Sequence, residues 1–386
     1  MRLTPVVALA ATLTTAFVAS AVAEPDDPTP KKPKPAPTLP AIPVPDPTNF
    51  YKGTFKLAFT PSTIVQNQLA GFIARAKKRV DMAVFDIDEP IVVEALLELK
   101  ERQKPIRIVM DSKNRNEHND PLNEAKILRT DPTNWRPFMH TKLVAIDQRF
   151  VLAGSANATT AAFMKEDNNA FFIDSPPLAK LVEAFVDQLW AGKFGKKRGK
   201  SPVAPAVKVG DATIQLYFSP DNDPLVRVLD EVNRAKKSVR FACFNISHKD
   251  VLAALLAAKK DRKVTVSGVV DGSEWKNGRV AKTLEEAGCN VLMDGNPSLM
   301  HNKVFIIDDE TVITGSFNFS ANAVEENDED MLVIQSKDIA KAFGAALDRI
   351  EKMAKKLPEE KKPTTTTGSG PAAATPGLAG ALDRPE

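Results

Sequence analysis

Residues 49–192 and 207–355 repeat one another in order, and this duplication constrains the fold more than any other feature of the chain. LAFTP, ending at Pro61, corresponds to LYFSP, ending at Pro220. AKKRV (76–80) corresponds to AKKSV (235–239), and Asp111 to Asp271. MHTKLVAIDQRFVLAGSAN, from Met139, corresponds to MHNKVFIIDDETVITGSFN, from Met300. The offset stays between 159 and 161 residues. Each half must therefore fold as the same unit.

The pattern within a half alternates helix and strand. Ile64, Val65, Leu69, Phe72, Ile73 and Ala76 recur at helical spacing and predict a helix over 62–78. An apolar strand follows at 80–87, a helix at 90–101 and a strand at 105–110. The second half predicts the same series at 225–237, 239–246, 249–259 and 264–270. Alternation of this kind implies a layered α/β fold. The domains read as 49–192 and 207–356, joined by a basic linker at 193–206.

Each half carries one dense motif. The first is His140-x-Lys142-x4-Asp147-x6-Gly154-Ser155-x-Asn157, and the second is His301-x-Lys303-x4-Asp308-x6-Gly315-Ser316-x-Asn318. Each motif spans two short predicted strands, 141–146 and 150–153 in the first copy. Side chains alternate across a strand, so His140 and Lys142 share a face, as do His301 and Lys303. Gly154 and Gly315 suit tight exits where backbone approaches a ligand. Ser155, Ser316, Asn157 and Asn318 offer small donors beside those exits.

Two such faces, if they met, would bring together imidazoles, ammonium groups, hydroxyls and amides. That set suits an oxyanion, and a phosphodiester fits it. The lysines and amides would stabilise the charge of a pentacoordinate transition state. One neutral imidazole could attack phosphorus, and the other, protonated, could donate to the leaving oxygen. The lysines would repel a divalent cation, so no metal or other cofactor is expected.

The paired motif resembles that of the phospholipase D superfamily, the HKD phosphodiesterases, over roughly residues 49–355. The resemblance implies two α-β-α sandwich domains, each a mixed sheet flanked by helices, related by a pseudo-twofold axis. The site would lie at their interface. It implies a covalent phosphohistidine on one motif histidine, here His140, with His301 as acid. It also implies that Asp147 and Asp308 tie the hairpins rather than touch substrate. The family often carries a glutamate beyond the asparagine to orient a histidine. Glu329, eleven residues after Asn318, fits that place, but its counterpart after Asn157 is Asn168. The implied partner is a phospholipid or other phosphodiester, met in transient contact with a membrane surface by a monomer that is an internal pseudo-dimer. The leading expectation is hydrolysis of phospholipid head groups to phosphatidic acid, with head-group exchange to alcohols. The alternatives are a metal-independent nuclease, a lipid synthase and a non-catalytic phosphate-binding surface protein.

Charge bears on that choice. With 52 basic and 49 acidic side chains, the net charge of +3 disfavours a nucleic-acid coat. Only two tyrosines and three tryptophans are available to stack on bases. The ends read as processing and linker segments. Residues 1–23 have the form of a secretory signal, cleaved after Ala23, which predicts a secreted or periplasmic protein. Ten prolines between Pro25 and Pro47 make 24–48 an extended linker, and 357–386 reads as a disordered, low-complexity tail.

The remaining candidates have plainer readings. Asp111 and Asp271 read as turn or helix caps. His118 and His248 read as loop or surface residues. Trp135, Phe138 and Met139 read as core, and Cys243 and Cys289 as buried thiols. The basic run from Lys193 to Lys200 reads as a flexible charged linker. The acidic run 325–330, Glu329 apart, reads as a solvated loop.

Overall fold

The computed structural model describes residues 55–356, apart from 135, 136, 203–205 and 278 and the side chains of 275–277. The expected signal segment, the proline-rich linker, Trp135 and the C-terminal tail lie outside the described residues.

The repeat folds as two mixed sheets. The first contains β1 (Phe55–Phe59), β2 (Val80–Val84), β3 (Ile106–Met110), β4 (Leu128–Thr130), β5 (Lys142–Ile146), β6 (Phe150–Gly154) and β7 (Asn169–Asp174). Their order is β1-β7-β6-β5-β2-β3-β4. β2, β3 and β4 pair in parallel, and the other neighbours pair antiparallel. The second sheet contains β8 (Val207–Val209), β9 (Ala212–Ser219), β10 (Ser238–Cys243), β11 (Thr265–Val270), β12 (Asn290–Met293), β13 (Lys303–Ile307), β14 (Thr311–Gly315), β15 (Glu329–Gln335) and β16 (Lys355–Lys356). Its central strands run β9-β15-β14-β13-β10-β11-β12, the first sheet's order again, and β8 and β16 extend its edges. Helices flank both sheets, as the α/β reading requires.

Local chemistry sets the element ends. The helix Thr63–Ala74 starts where the Ser62 hydroxyl accepts from the Ile64 amide at 3.1 Å. It stops short of the predicted 78 because the amides of Lys77, Lys78 and Arg79 turn to the Asp147 carboxylate. The helix Pro90–Glu101 keeps its predicted bounds, with proline in the first turn where no amide is needed. The strand expected at 80–87 ends at Val84, since the Phe85 amide donates to the Thr141 carbonyl and Ile87 bridges to Ala158.

Strand alternation divides the apolar side chains between two cores. Met82, Val84, Val144 and Ile146 face the helices Thr63–Ala74 and Pro90–Glu101. Ala83, Leu143, Ala145, Val151 and Phe171 face the other way, into a core that also holds Val304, Ile306, Val312 and Leu332 of the second half. The helices Pro176–Trp190 and Lys337–Met353 complete this shared core. Phe185 of the first half stacks on Phe218 of the second, with centroids 4.2 Å apart. Phe343 of the second half stacks on Phe171 of the first at 5.5 Å. Each half thus lends an aromatic ring to the other's sheet.

Three further expectations need correction. The basic run is not a flexible linker throughout: Gly195–Arg198 form a 3-10 turn, and Arg198 is buried, ion-paired to Asp328 and to Asp221 and lying over the Phe185 ring. The acidic run is not a solvated loop, because Asn327, Asp328 and Asp330 are buried. Arg198 pairs with Asp328, and Asp330 accepts from the Lys142 amide, so these donors offset part of the cost of burying the two carboxyl groups. His248 is buried rather than superficial, and its Nδ1 accepts from the Asp250 amide at the start of the helix Lys249–Lys260.

The motif aspartates occupy hairpin turns. Asp147 and Gln148 have φ of 57° and 60°, and Asp308 and Asp309 have 54° and 56°. Paired left-handed residues match a two-residue turn to the strand twist. The Asp308 carboxylate accepts from the amides of Lys236, Lys237 and Ser238 at 2.7–2.9 Å. Burial opposes its ionisation, but those three amides and the Lys237 charge outweigh it and lower the pKa. Stability from a depressed carboxylate is present above the unfolded pKa and lost as pH falls through the folded one. Asp308→Ala should therefore cost about 2 kcal/mol at neutral pH, discounted for solvent exposure. Denaturant melts at neutral and strongly acidic pH should show that difference closing in acid.

Candidate active site

Lys142 opens β5, and His140 lies two residues before it. His301 and Lys303 hold the same places at β13. Both histidines and both lysines are buried. The His140 ring meets Phe85 edge-on at 4.8 Å, and the Lys142 ammonium lies 5.1 Å from the same ring. In the second copy Phe244 meets His301 at 5.0 Å and the Lys303 ammonium at 4.8 Å. Histidine and lysine therefore share one face in each copy. Lys142 Nζ donates to the His140 carbonyl at 2.7 Å, and Lys303 Nζ to the His301 carbonyl at 2.9 Å.

Each histidine is positioned by the opposite half. The His140 amide donates to the Asp328 carbonyl at 2.8 Å, and the His301 amide to the Asp167 carbonyl at 2.9 Å. Asp328 and Asp167 immediately precede Glu329 and Asn168. His140 Nδ1 donates to Glu329 Oε2 at 2.7 Å. His301 Nδ1 donates to Asn168 Oδ1 at 3.0 Å. With Nδ1 engaged on both rings, chemistry must run through Nε2. The Lys142 amide adds a further tie, donating to Asp330 at 3.0 Å. Burial pushes the Asp330 carboxyl up to about 6, although that amide and the Lys142 charge pull it down.

The glycines and serines do something other than the spacing suggests. Gly154 and Gly315 have φ of +141° and +139°. A Cβ on Gly154 would sit 2.4 Å from the Asn169 carbonyl, and one on Gly315 2.5 Å from that of Asp330. The close neighbour is thus the adjacent strand, not a ligand. The Ser155 hydroxyl donates to Asn168 Oδ1 at 2.9 Å, and that of Ser316 to Glu329 Oε2 at 2.6 Å. Each hydroxyl's single proton is spent on the group that holds a histidine. In this arrangement the serines orient the groups that hold the histidines. Asn157 is half-buried and Asn318 buried on the same turns.

Asp111 and Asp271 cap local turns as expected, accepting from Lys113 and Ser273 amides. Their second oxygens accept from the amides of Met139 and Met300, both at 3.0 Å, and so hold the residue before each histidine. Their place in the repeat signalled a shared job, but the partner lies 28 or 29 residues away in sequence. Among the described residues, no cluster of His, Cys, Asp and Glu could hold a metal ion. Cys243 and Cys289 are buried free thiols.

Comparison with known proteins agrees with the geometry. The family model of the cardiolipin synthase, PLD-like domain matches residues 69–190 and again 228–350. A phospholipase D of Rickettsia bellii is 34% identical over 132 residues, covering 34% of this chain and 65% of that protein. The human mitochondrial cardiolipin hydrolase is 30% identical over 127 residues, covering 33% of this chain and 50% of its own. The chain thus spans less than two thirds of the length of these curated relatives. The fold of a phosphatidylserine synthase from Haemophilus influenzae superposes with a TM-score of 0.62, at 14% identity, over 80% of this chain and 90% of that one. A family model matched twice, on a duplicated fold with paired histidines, makes this chain a member of the phospholipase D superfamily.

Proposed function

We propose that the protein is a phospholipase D-type phosphodiesterase that hydrolyses phospholipid head groups to phosphatidic acid. The observation that carries this reading is the reciprocal hold on the histidines, each fixed through Nδ1 by the other half. In the proposed reaction, the His140 Nε2 lone pair forms a bond to phosphorus. The bond from phosphorus to the head-group oxygen breaks, and that oxygen takes the proton from His301 Nε2. Water then attacks phosphorus and gives its proton to His301, and the electron pair returns to His140. An alcohol in place of water gives head-group exchange. Lys142 and Lys303 place positive charge where the phosphoryl oxygens gather negative charge.

The names of the relatives, phospholipase D and cardiolipin hydrolase, favour lipid over nucleic acid as substrate. Among the described residues no helix is long and apolar enough to cross a membrane. The proposal has the enzyme meet lipid from the aqueous side, after export directed by residues 1–23.

His140→Ala and His301→Ala should each lower turnover on phosphatidylcholine by about 10³-fold or more, with the fold retained by circular dichroism. Full activity in either variant rejects the two-histidine mechanism. Turnover should persist in excess EDTA, because the buried ammonium groups of Lys142 and Lys303 would repel a divalent cation. Parallel assays on phosphatidylcholine vesicles and plasmid DNA should show release of choline with the plasmid intact. Nicked plasmid with intact lipid would establish the nuclease instead.

A further inference from the structure

The two halves carry the same acid and amide in opposite order. Residues 166–168 read Glu-Asp-Asn, and the equivalent 327–329 read Asn-Asp-Glu. In the second-half loop the acid is in front: Glu329 Oε2 receives His140 Nδ1, and Asn327 Nδ2 donates to Glu329 Oε1 from behind at 3.1 Å. In the first-half loop the amide is in front. Asn168 Oδ1 receives His301 Nδ1, and Asn168 Nδ2 donates back to Glu166 Oε2 at 3.2 Å. Glu166 itself stands 4.0 Å from His301 Nδ1. The carboxylate missing beside His301 has moved one layer out.

The reaction proposed above asks different things of the two rings. The nucleophile gains positive charge when its Nε2 bonds phosphorus, so a carboxylate on its Nδ1 stabilises the step. The acid loses positive charge when it gives up its proton. A carboxylate in direct contact would hold that proton back, whereas a neutral amide lets it go. The direct partners, Glu329 and Asn168, match these demands for His140 and His301 respectively.

An amide partner brings one weakness, because it can present either end. If Asn168 turned its Nδ2 to His301, Nδ1 would become an acceptor and the neutral ring would carry its proton on Nε2. The ring could then not take a proton from water in the second step. Glu166 prevents this. An ionised carboxylate only accepts, so it fixes Nδ2 towards itself and leaves Oδ1 for His301. The Ala162 carbonyl accepts from the same Nδ2 at 3.2 Å, and the Ser155 hydroxyl donates to Oδ1. Burial raises the Glu166 pKa overall, and the Asn168 hydrogen bond and the charges of Lys303 and Lys142 limit that rise. Both motif lysines therefore act on this one carboxylate.

We propose that Glu166 is a positioning residue that acts through Asn168 to fix the proton-bearing nitrogen of His301, and that the inverted acid–amide order divides the two histidines into nucleophile and acid. This rests on the phosphohistidine reading above, and the test separates the two. Bis(p-nitrophenyl) phosphate is a suitable probe for the full chain, since nitrophenolate leaves without needing a proton. The first step then depends little on His301, and the second, attack by water, depends on it fully. In Glu166→Gln the isosteric amide can face Asn168 with either end and carries no charge. Steady-state turnover should fall on the order of tenfold, the first-turnover burst of nitrophenolate should fall far less, and phosphohistidine seen by mass spectrometry should accumulate above the wild-type level. Glu166→Asp, which keeps the charge on a shorter arm, should give the same signature at smaller size, and it serves if the glutamine variant does not fold. Equal losses in burst and steady state without added phosphohistidine, or unchanged turnover, overturn the proposal. Absence of diester cleavage and of phosphohistidine in the wild type would instead overturn the reading on which it rests.

Discussion

Neither half of this protein positions its motif histidine by itself. The loop entering β15 in the second half holds His140 by its backbone amide and by its ring, and the loop entering β7 in the first half holds His301 in the same way. These hydrogen bonds are buried, so leaving one unmade would cost more than it contributes when formed. The shared apolar core brings the two sheets together, and the crossed loops set the register within that contact. The site lies at the interface because only there does each ring have its second partner.

Inside this frame the motif residues divide their labour. Histidine and lysine share a face and point their chemistry inward. Aspartate ties the hairpin turn to the chain just before β2 or β10. Glycine lets a strand exit pass against its neighbour, where any Cβ would strike a carbonyl. Serine sends its proton to the group that holds the opposite half's histidine. Most of the motif therefore supports the two imidazoles and the two ammonium groups. Preorganisation of this kind keeps donors fixed where charge develops, so little reorganisation is needed during reaction. Duplication supplies two copies of the frame, and the exchange of Glu and Asn between copies makes the two rings chemically unequal.

Much of the fold was legible because it rests on short-range pattern. The helix at 90–101 follows from apolar spacing and a proline at its first turn. The hairpin of β5 and β6 follows from apolar runs around Asp147-Gln148. Misreadings came where a distant group decided the matter. The helix at 63–74 looked longer because nothing nearby showed that Asp147 would claim the amides after it. Arg198 looked like one more charge in a basic run, yet it is buried against Asp328, 130 residues away. Asp328 and Asp330 looked solvated for the same reason: a charge's partner is invisible until the chain has folded.

The amino-acid sequence alone determined that the fold is doubled, that each copy alternates helix and strand, and that each carries one histidine and one lysine on a common face. Those features depend on periodicity and spacing, which act over a few residues. The tertiary structure alone decided which carboxylate or amide meets which imidazole. It also set the serines against Asn168 and Glu329, and it put Glu166 behind Asn168. Such pairings depend on distances between segments far apart in the chain, and only the packed interface of the two halves sets those distances.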